Sequence, residues 1–241
     1  MKRLLTATML MFLVAPCSSA IFAQSGSREG LLNEFEARRA ELATIEKKLL
    51  LPADEDRTAF AEFLQQPDTG LIRLLPREVY GSPSSNKGLL AISGGGAYYS
   101  FVRLTHEYGQ GSDISLEQGY LSVGFAGADY GIVAQAGNIE LNEISVEHPS
   151  SLFLANYQAA TEEPVARQEW SRFGPGIMVD GIKYGHRAKA EVGMSYVLRS
   201  IDYGRSDWLV ALKVVRQDSD GSLIIAWKLL KKFPKPELAR S

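Results

Sequence analysis

Residues 208–228 read WLVALKVVRQDSDGSLIIAWK and contain the clearest hairpin pattern of the sequence. In its first half, apolar side chains alternate as they do in a strand with one buried face, at Trp208, Val210, Leu212 and Val214. The segment 218–221, Asp-Ser-Asp-Gly, is typical of a tight turn because glycine readily adopts positive φ. A second apolar run follows at 222–228. The sequence therefore predicts a β-hairpin here.

Similar short runs, separated by glycine-rich turns, occupy most of the chain. The predicted strands are 89–92, 98–104, 114–117, 121–125, 130–135, 139–146, 177–179, 182–184, 191–201, 208–216 and 222–228. A spacing of roughly ten residues between strands is typical of an antiparallel sheet and not of a strand-helix alternation. The predicted fold is mainly β, an antiparallel sandwich or partly closed barrel, with α+β as the alternative.

Helices are predicted at the N-terminal side, over 28–66, and in a short insertion at 152–158 and 162–172. In the first of these, one stripe of a helix carries Leu31, Phe35, Leu42, Ile45 and Leu49. Such a stripe either pairs with another helix in a coiled coil or packs on the main domain. The second interpretation is favoured because fewer than three clean heptads are present.

The first 23 residues have the pattern of a secretory signal peptide. Lys2 and Arg3 precede the apolar run 4–14, and small residues follow at 18–20. Cys17 suggests a lipoprotein as a second interpretation, but Pro16 occupies the position where lipoprotein processing needs a small residue. The predicted organisation is a signal peptide at 1–23, a helical segment at 24–67 and a β-rich domain at 68–241. The expected location is periplasmic or extracellular.

Composition excludes several classes of protein. The 241 residues include 26 Lys and Arg, 28 Asp and Glu and one cysteine, so the net charge is −2. Loss of Lys2 and Arg3 with the signal peptide gives 24 − 28 = −4. An acidic chain argues against nucleic acid as a partner, and a single cysteine excludes a disulfide framework. No segment after residue 23 has the roughly 20 apolar residues of a transmembrane helix.

The densest polar cluster spans residues 199–208, where two predicted strands join. The candidate ligand-binding residues are Arg199, Asp202, Tyr203, Arg205, Asp207 and Trp208. Arginines beside aromatic rings could clamp an anionic group at the rim of a cavity. The favoured alternative is a corner in which each arginine pairs with a neighbouring aspartate. A weaker cluster of the same kind contains Arg73, Arg77 and Glu78.

No cofactor and no metal site are expected. The run Ser-Gly-Gly-Gly at 93–96 lacks the spacing of a phosphate- or dinucleotide-binding loop. The three histidines stand far apart in sequence, and Asp218-x-Asp220-Gly221 lacks the remaining ligands of a calcium loop.

These observations predict a non-catalytic binding or interaction module whose ligand is a small molecule, a glycan or a protein. One alternative is a secreted hydrolase with a spatially assembled site, whose candidate residues are Asp113, Asp129, Asp202, His106 and His186. The other is an envelope structural protein that self-associates through residues 28–66.

Two stretches together resemble a recurrent family of exported bacterial proteins. They are TGLIRLLPREVY at 69–80 and SYVLRSIDYGRSDWLVALKVVRQDSDGSLIIAWKLLKKFPKP at 195–236. The resemblance implies an exported bacterial protein with a single domain, and it assigns no catalytic residue.

Overall fold

The structure is a computed structural model that describes residues 27–81, 93–106, 108–125 and 129–239. The predicted signal peptide, with Cys17, and the predicted strand 89–92 lie outside the described residues. The chain divides into two compact units between Ala40 and Glu41.

The described residues form eleven strands. They are β1 (Thr69–Leu74), β2 (Tyr98–Tyr99), β3 (Ile114–Glu117), β4 (Tyr120–Val123), β5 (Tyr130–Gly137), β6 (Ile177–Val179), β7 (Ile182–Gly185), β8 (Arg187–Lys189), β9 (Ser195–Asp202), β10 (Ser206–Gln217) and β11 (Leu223–Lys232). All paired strands are antiparallel, in a seven-stranded sheet of order β1-β11-β10-β9-β5-β7-β6 and a four-stranded sheet of order β2-β3-β4-β8. The mainly β prediction is confirmed, and the two sheets of the described ranges do not close into a barrel.

Five α-helices accompany the strands in the described part of the chain. They are α1 (Arg28–Leu50), α2 (Asp54–Ala59), α3 (Arg77–Tyr80), α4 (Pro149–Asn156) and α5 (Glu163–Phe173), with 3-10 turns at Phe63–Gln65, Ser93–Gly96 and Leu141–Glu143. Within these described ranges, none of the helices has the length and apolar character that crossing a membrane requires.

The larger sheet buries both of its faces. One face packs against the smaller sheet, and the other packs against α4, α5 and the C-terminal segment. β9 shows the arrangement most clearly because all eight of its residues are buried. Its Tyr196 and Leu198 belong to the core between the sheets, whereas Val197 and Ile201 belong to the core on the helix side. Both faces of β9 are therefore buried, and the strand carries buried polar residues, among them Arg199 and Asp202, beside its apolar ones.

The predicted hairpin at 208–228 is confirmed as β10 and β11. Leu212 lies opposite Trp227, and both side chains contribute to the core between the sheets. Gly221 closes the turn with a φ of 88°, which a residue with a side chain rarely adopts.

Several predicted strands are wrong in whole or in part. In the predicted strand 191–201, residues 191–194 form a turn and the strand begins only at Ser195. Residues 139–146 form a 3-10 turn and loop, in which Ile144 N–H donates to the carbonyl oxygen of Leu141 at 3.1 Å. The buried apolar residues are three positions apart there, a spacing that suits a turn better than a strand. In the predicted strand 98–104, pairing ends at Ser100. The N–H of Phe101 donates to the carboxylate of Asp113 at 2.7 Å, so it is not part of a strand ladder.

The N-terminal helix forms as predicted over residues 28–50. None of its residues is buried. Along the predicted stripe, Leu31 is 60% exposed, Phe35 63% and Leu42 52%. The apolar stripe is therefore exposed along most of the helix, whereas Leu50 at its end is half-buried and lines a cavity together with Leu71 and Tyr99.

Candidate functional site

Arg199 and Asp207 of the predicted polar cluster form a buried ion pair. Nε and Nη2 of Arg199 each donate to one carboxylate oxygen of Asp207, both at 2.7 Å. The side chains are 3% exposed. Nη1 donates to the main-chain carbonyl oxygens of Leu154 at 2.7 Å and Tyr157 at 2.5 Å. The guanidinium group thus joins β9 to the end of α4, and its charge is balanced inside the protein.

The other candidate residues also form ion pairs, hydrogen bonds or cation–π contacts within the protein. Arg205 pairs with Asp202 at 3.2 Å, and Tyr203 donates from its hydroxyl to the carbonyl oxygen of Ala160 at 2.6 Å. Lys232 lies 4.8 Å from the ring centre of the half-buried Trp208. The structure therefore contains the local pairs that the corner interpretation predicted. None of the three cavities described below is lined by the six candidate residues.

Two of the carboxylates nominated for a hydrolase, Asp129 and Asp113, act electrostatically on the third, Asp202, at this corner. Burial, with smaller contributions from the negative charges of Asp129 and Asp113, raises the pKa of Asp202 to about 6 against the opposing effect of Arg205. Burial also raises the pKa of Asp113, which accepts hydrogen bonds from Ser100 and from the main chain.

The two histidines nominated with these acids form hydrogen bonds elsewhere. Nε2 of His106 contacts the carbonyl oxygen of Arg73 at 2.7 Å, and Nδ1 of His186 contacts that of Gly131 at 3.1 Å. Burial lowers the pKa of His106. Among the described residues, no group of three or more His, Cys, Asp or Glu side chains is arranged to hold a metal ion.

A cavity of about 410 Å³ lies between α4 and the hairpin of β6 and β7. Its wall contains three aromatic rings, from Phe153, Tyr157 and Tyr184. The ring centre of Phe153 lies 4.7 Å from that of Tyr184 and 5.9 Å from that of Tyr157. The remaining lining residues are Pro149, Leu152, Asn156, Val179, Asp180 and Ile182. A concave, mostly apolar wall with a few polar groups is typical of a small-molecule site.

The tyrosine hydroxyls of this wall are bonded within the protein. Tyr157 donates to Glu169 at 2.9 Å, and its oxygen lies 2.7 Å from the hydroxyl of Tyr130. The hydroxyl of Tyr184 contacts the carbonyl oxygens of Pro149 and Ser150 at 3.4 and 3.3 Å. These bonds fix the orientation of the two tyrosine rings; Tyr157 is half-buried, and Tyr184 is 1% exposed.

Tyr157 connects the aromatic cavity to the predicted polar cluster. Its ring lines the cavity, while its carbonyl oxygen is held by Arg199. The guanidinium carbon of Arg199 also lies 5.8 Å from the centre of the Tyr157 ring. Arg199 and Asp207 therefore act on the cavity from behind its wall, as positioning residues.

The sequence analysis did not identify this cavity. Phe153 and Tyr157 are four residues apart, so helical spacing alone places them near one face of the 152–158 segment. The opposite wall comes from Asp180, Ile182 and Tyr184, which reach α4 only through the pairing of β7 with β5. No local pattern indicates that long-range contact.

Two further cavities lie elsewhere. One of about 530 Å³ contains His106 and Tyr99 among mainly apolar residues, and one of about 310 Å³ lies beside Phe60 and Phe63. Neither contains three aromatic rings in its wall. The aromatic cavity is therefore the candidate ligand site. In comparisons with known proteins, no protein-family model, no curated protein and no solved structure matches this chain.

Proposed function

We propose that this protein is an exported, non-catalytic binding module whose ligand occupies the aromatic cavity between α4 and the β6–β7 hairpin. The observation that carries the proposal is a 410 Å³ cavity with three aromatic rings in its wall. Such a volume accepts a small organic molecule, and aromatic walls supply large contact areas to it.

The proposal is supported by the way in which the wall is held. Tyr157 is fixed through its hydroxyl by Glu169 and through its carbonyl oxygen by Arg199. A site that is rigid before the ligand arrives loses less conformational entropy on binding, so more of the contact energy appears as affinity.

Export is proposed from the sequence, because residues 1–23 contain basic residues, an apolar run and small residues in the order that is typical of a secretory signal peptide. The resemblance of 69–80 and 195–236 to exported bacterial proteins supports the same location. A binding protein in the periplasm or outside the cell is consistent with both.

Filling the cavity tests the binding function. We expect 2-phenylethanol to shift amide NMR resonances of α4 and of the β6–β7 hairpin in the wild-type protein. Leu152→Trp should abolish these shifts, because Leu152 lines the cavity and the larger ring would fill it. Since Leu152 is 46% exposed, the larger side chain should be accommodated without unfolding the protein. Val165→Trp is the matched control, since Val165 is 42% exposed on α5 and lies outside the wall.

Equal shifts in both tryptophan variants would place the ligand elsewhere and contradict the proposed site. Absence of shifts in the wild-type protein with 2-phenylethanol, phenethylamine and 3-phenylpropanoate would contradict the binding function itself. Thermal melting of each variant ensures that a lost response reflects the cavity and not unfolding.

Self-association through α1 is a second candidate function. It is favoured by the exposed apolar stripe, whose Phe35, Leu42 and Leu49 are spaced by seven residues, the repeat of a coiled coil. If the stripe joins two copies, Leu42→Glu should convert a dimer into a monomer in sedimentation analysis. Glu36→Gln on the same helix should leave the dimer intact. A wild-type protein that sediments as a monomer would exclude this function.

A further inference from the structure

The charge of the aromatic cavity comes from one side chain. Among its nine lining residues, Asp180 is the single ionisable carboxylate, and no lysine or arginine is present. Asp180 begins the two-residue turn between β6 and β7, where its φ is 50° and the following Gly181 has a φ of 80°. The carboxylate contributes to the raised pKa of Tyr184, after the larger effect of burial. Asp180 therefore lies in the same cavity wall as the rings of Tyr157 and Tyr184.

Charges behind the wall are already balanced. Glu169 pairs with Arg172 at 3.1 Å, and Asp207 pairs with Arg199 at 2.7 Å. Within the described part of the chain, no ion pair involves Asp180. The uncompensated charge at the cavity is therefore negative.

From these features we infer that the cavity selects an organic cation, a positively charged nitrogen carried on an apolar body. The inference rests on the proposed binding function and specifies the class of its ligand. The faces of aromatic rings are negative and attract cations, and the carboxylate of Asp180 adds a direct electrostatic attraction. An apolar body of the ligand would lie against Leu152 and Ile182.

Three compounds with the same ring and different charge test the inference. They are phenethylamine, which is a cation at pH 7, neutral 2-phenylethanol and the anion 3-phenylpropanoate. We expect phenethylamine to bind about tenfold more tightly than 2-phenylethanol, and 3-phenylpropanoate to bind most weakly. Dissociation constants come from NMR titration of the full chain at low ionic strength, because salt screens an exposed carboxylate.

The variant Asp180→Asn distinguishes the contribution of the carboxylate from that of the aromatic rings. Asparagine tolerates positive φ, so the turn should keep its conformation. In this variant, phenethylamine should bind within about twofold of 2-phenylethanol, while the affinity for 2-phenylethanol stays at its wild-type value. Glu143→Gln is the matched control, since Glu143 is an exposed acid outside the wall and its removal should leave the tenfold preference intact.

The possible results distinguish the two proposals. Equal binding of all three compounds, abolished by Leu152→Trp, would overturn the cation preference and support the binding site. A preference that survives Asp180→Asn would also overturn the inference, because the selecting charge would then lie elsewhere. Binding of none of the three compounds would overturn the proposed function and the inference together.

Discussion

Nη1 of Arg199 donates to the main-chain carbonyl oxygen of Tyr157 at 2.5 Å. Tyr157 is the C-cap residue of α4, so a buried arginine of β9 fixes the C-terminal end of this helix. The same guanidinium makes two bonds of 2.7 Å with Asp207. A charge is costly to bury unless it is paired. Here one guanidinium group does both: its Nε and Nη2 pair with Asp207, and its Nη1 positions the aromatic wall.

Asp207→Asn should destabilise the protein by about 3–5 kcal/mol, because it leaves the guanidinium of Arg199 buried without a counter-charge. The free energy of unfolding in urea measures the effect. Arg167→Gln is the control: Arg167 pairs with Glu163 on the exposed side of α5, and its loss should cost at most about 1 kcal/mol. Equal losses of unfolding free energy in the two variants would show that the buried pair of Arg199 and Asp207 contributes no more than an exposed pair.

The stability of the protein should fall as the pH rises from about 4 to 6. Burial raises the pKa of Asp202 to about 6, against an ordinary value of 3.8. In this window the folded protein keeps a proton that the unfolded chain releases, so rising pH favours unfolding. The difference between the unfolded value of 3.8 and the folded value of about 6 corresponds to about 3 kcal/mol. The raised pKa of Asp113 acts in the same direction.

Asp202→Asn isolates the contribution of this carboxylate. Between pH 4 and 7 the wild-type protein should lose about 2–3 kcal/mol of unfolding free energy that the variant does not lose. Urea denaturation at pH 4, 5, 6 and 7 measures it, and Glu163→Gln on the exposed surface should show no such trend. A difference that stays constant with pH would refute the raised pKa of Asp202.

The hairpin of β10 and β11 could be predicted because its information is local. Val210, Leu212 and Val214 alternate towards a turn that ends in Gly221, and the observed register follows this pattern. The segment 139–146 could not be predicted in the same way, since its apolar residues fit a strand and a turn almost equally. Its conformation is determined by burial of Leu141 and Ile144 against the sheet.

The polar cluster was found in the sequence, but its role was not. Arg199 and Asp207 are eight positions apart on adjacent strands, so local pairing could be expected. The carbonyl oxygens of Leu154 and Tyr157 come from a helix more than forty residues away. That contact, which makes Arg199 a positioning residue of a cavity, depends on the packing of α4 and has no local signature.

Gly131→Ala should destabilise the protein by about 3 kcal/mol, because Val123 of β4 lies directly against Gly131 of β5. An added Cβ would lie 2.7 Å from the main-chain carbonyl carbon of Val123, and a backbone atom cannot rotate away. Gly30→Ala in α1 is the control, since its nearest atom is Ser27 Oγ at 3.4 Å and alanine favours a helix. Urea denaturation compares the two variants, and similar unfolding free energies would contradict the close approach of β4 and β5.

Gln118→Asn should stabilise the protein, because the turn between β3 and β4 requires two residues with positive φ. Gln118 has a φ of 52° and Gly119 a φ of 76°, the pattern for which Asn-Gly is preferred. The bond from the N–H of Gln118 to Glu78 uses the main chain, so the substitution retains it. We expect an increase of about 0.5–1 kcal/mol in unfolding free energy, or about 2 °C in Tm. Gln118→Val should have the opposite effect, because a β-branched side chain disfavours this conformation. A Tm that rises in both variants would show that positive φ is not what limits the turn.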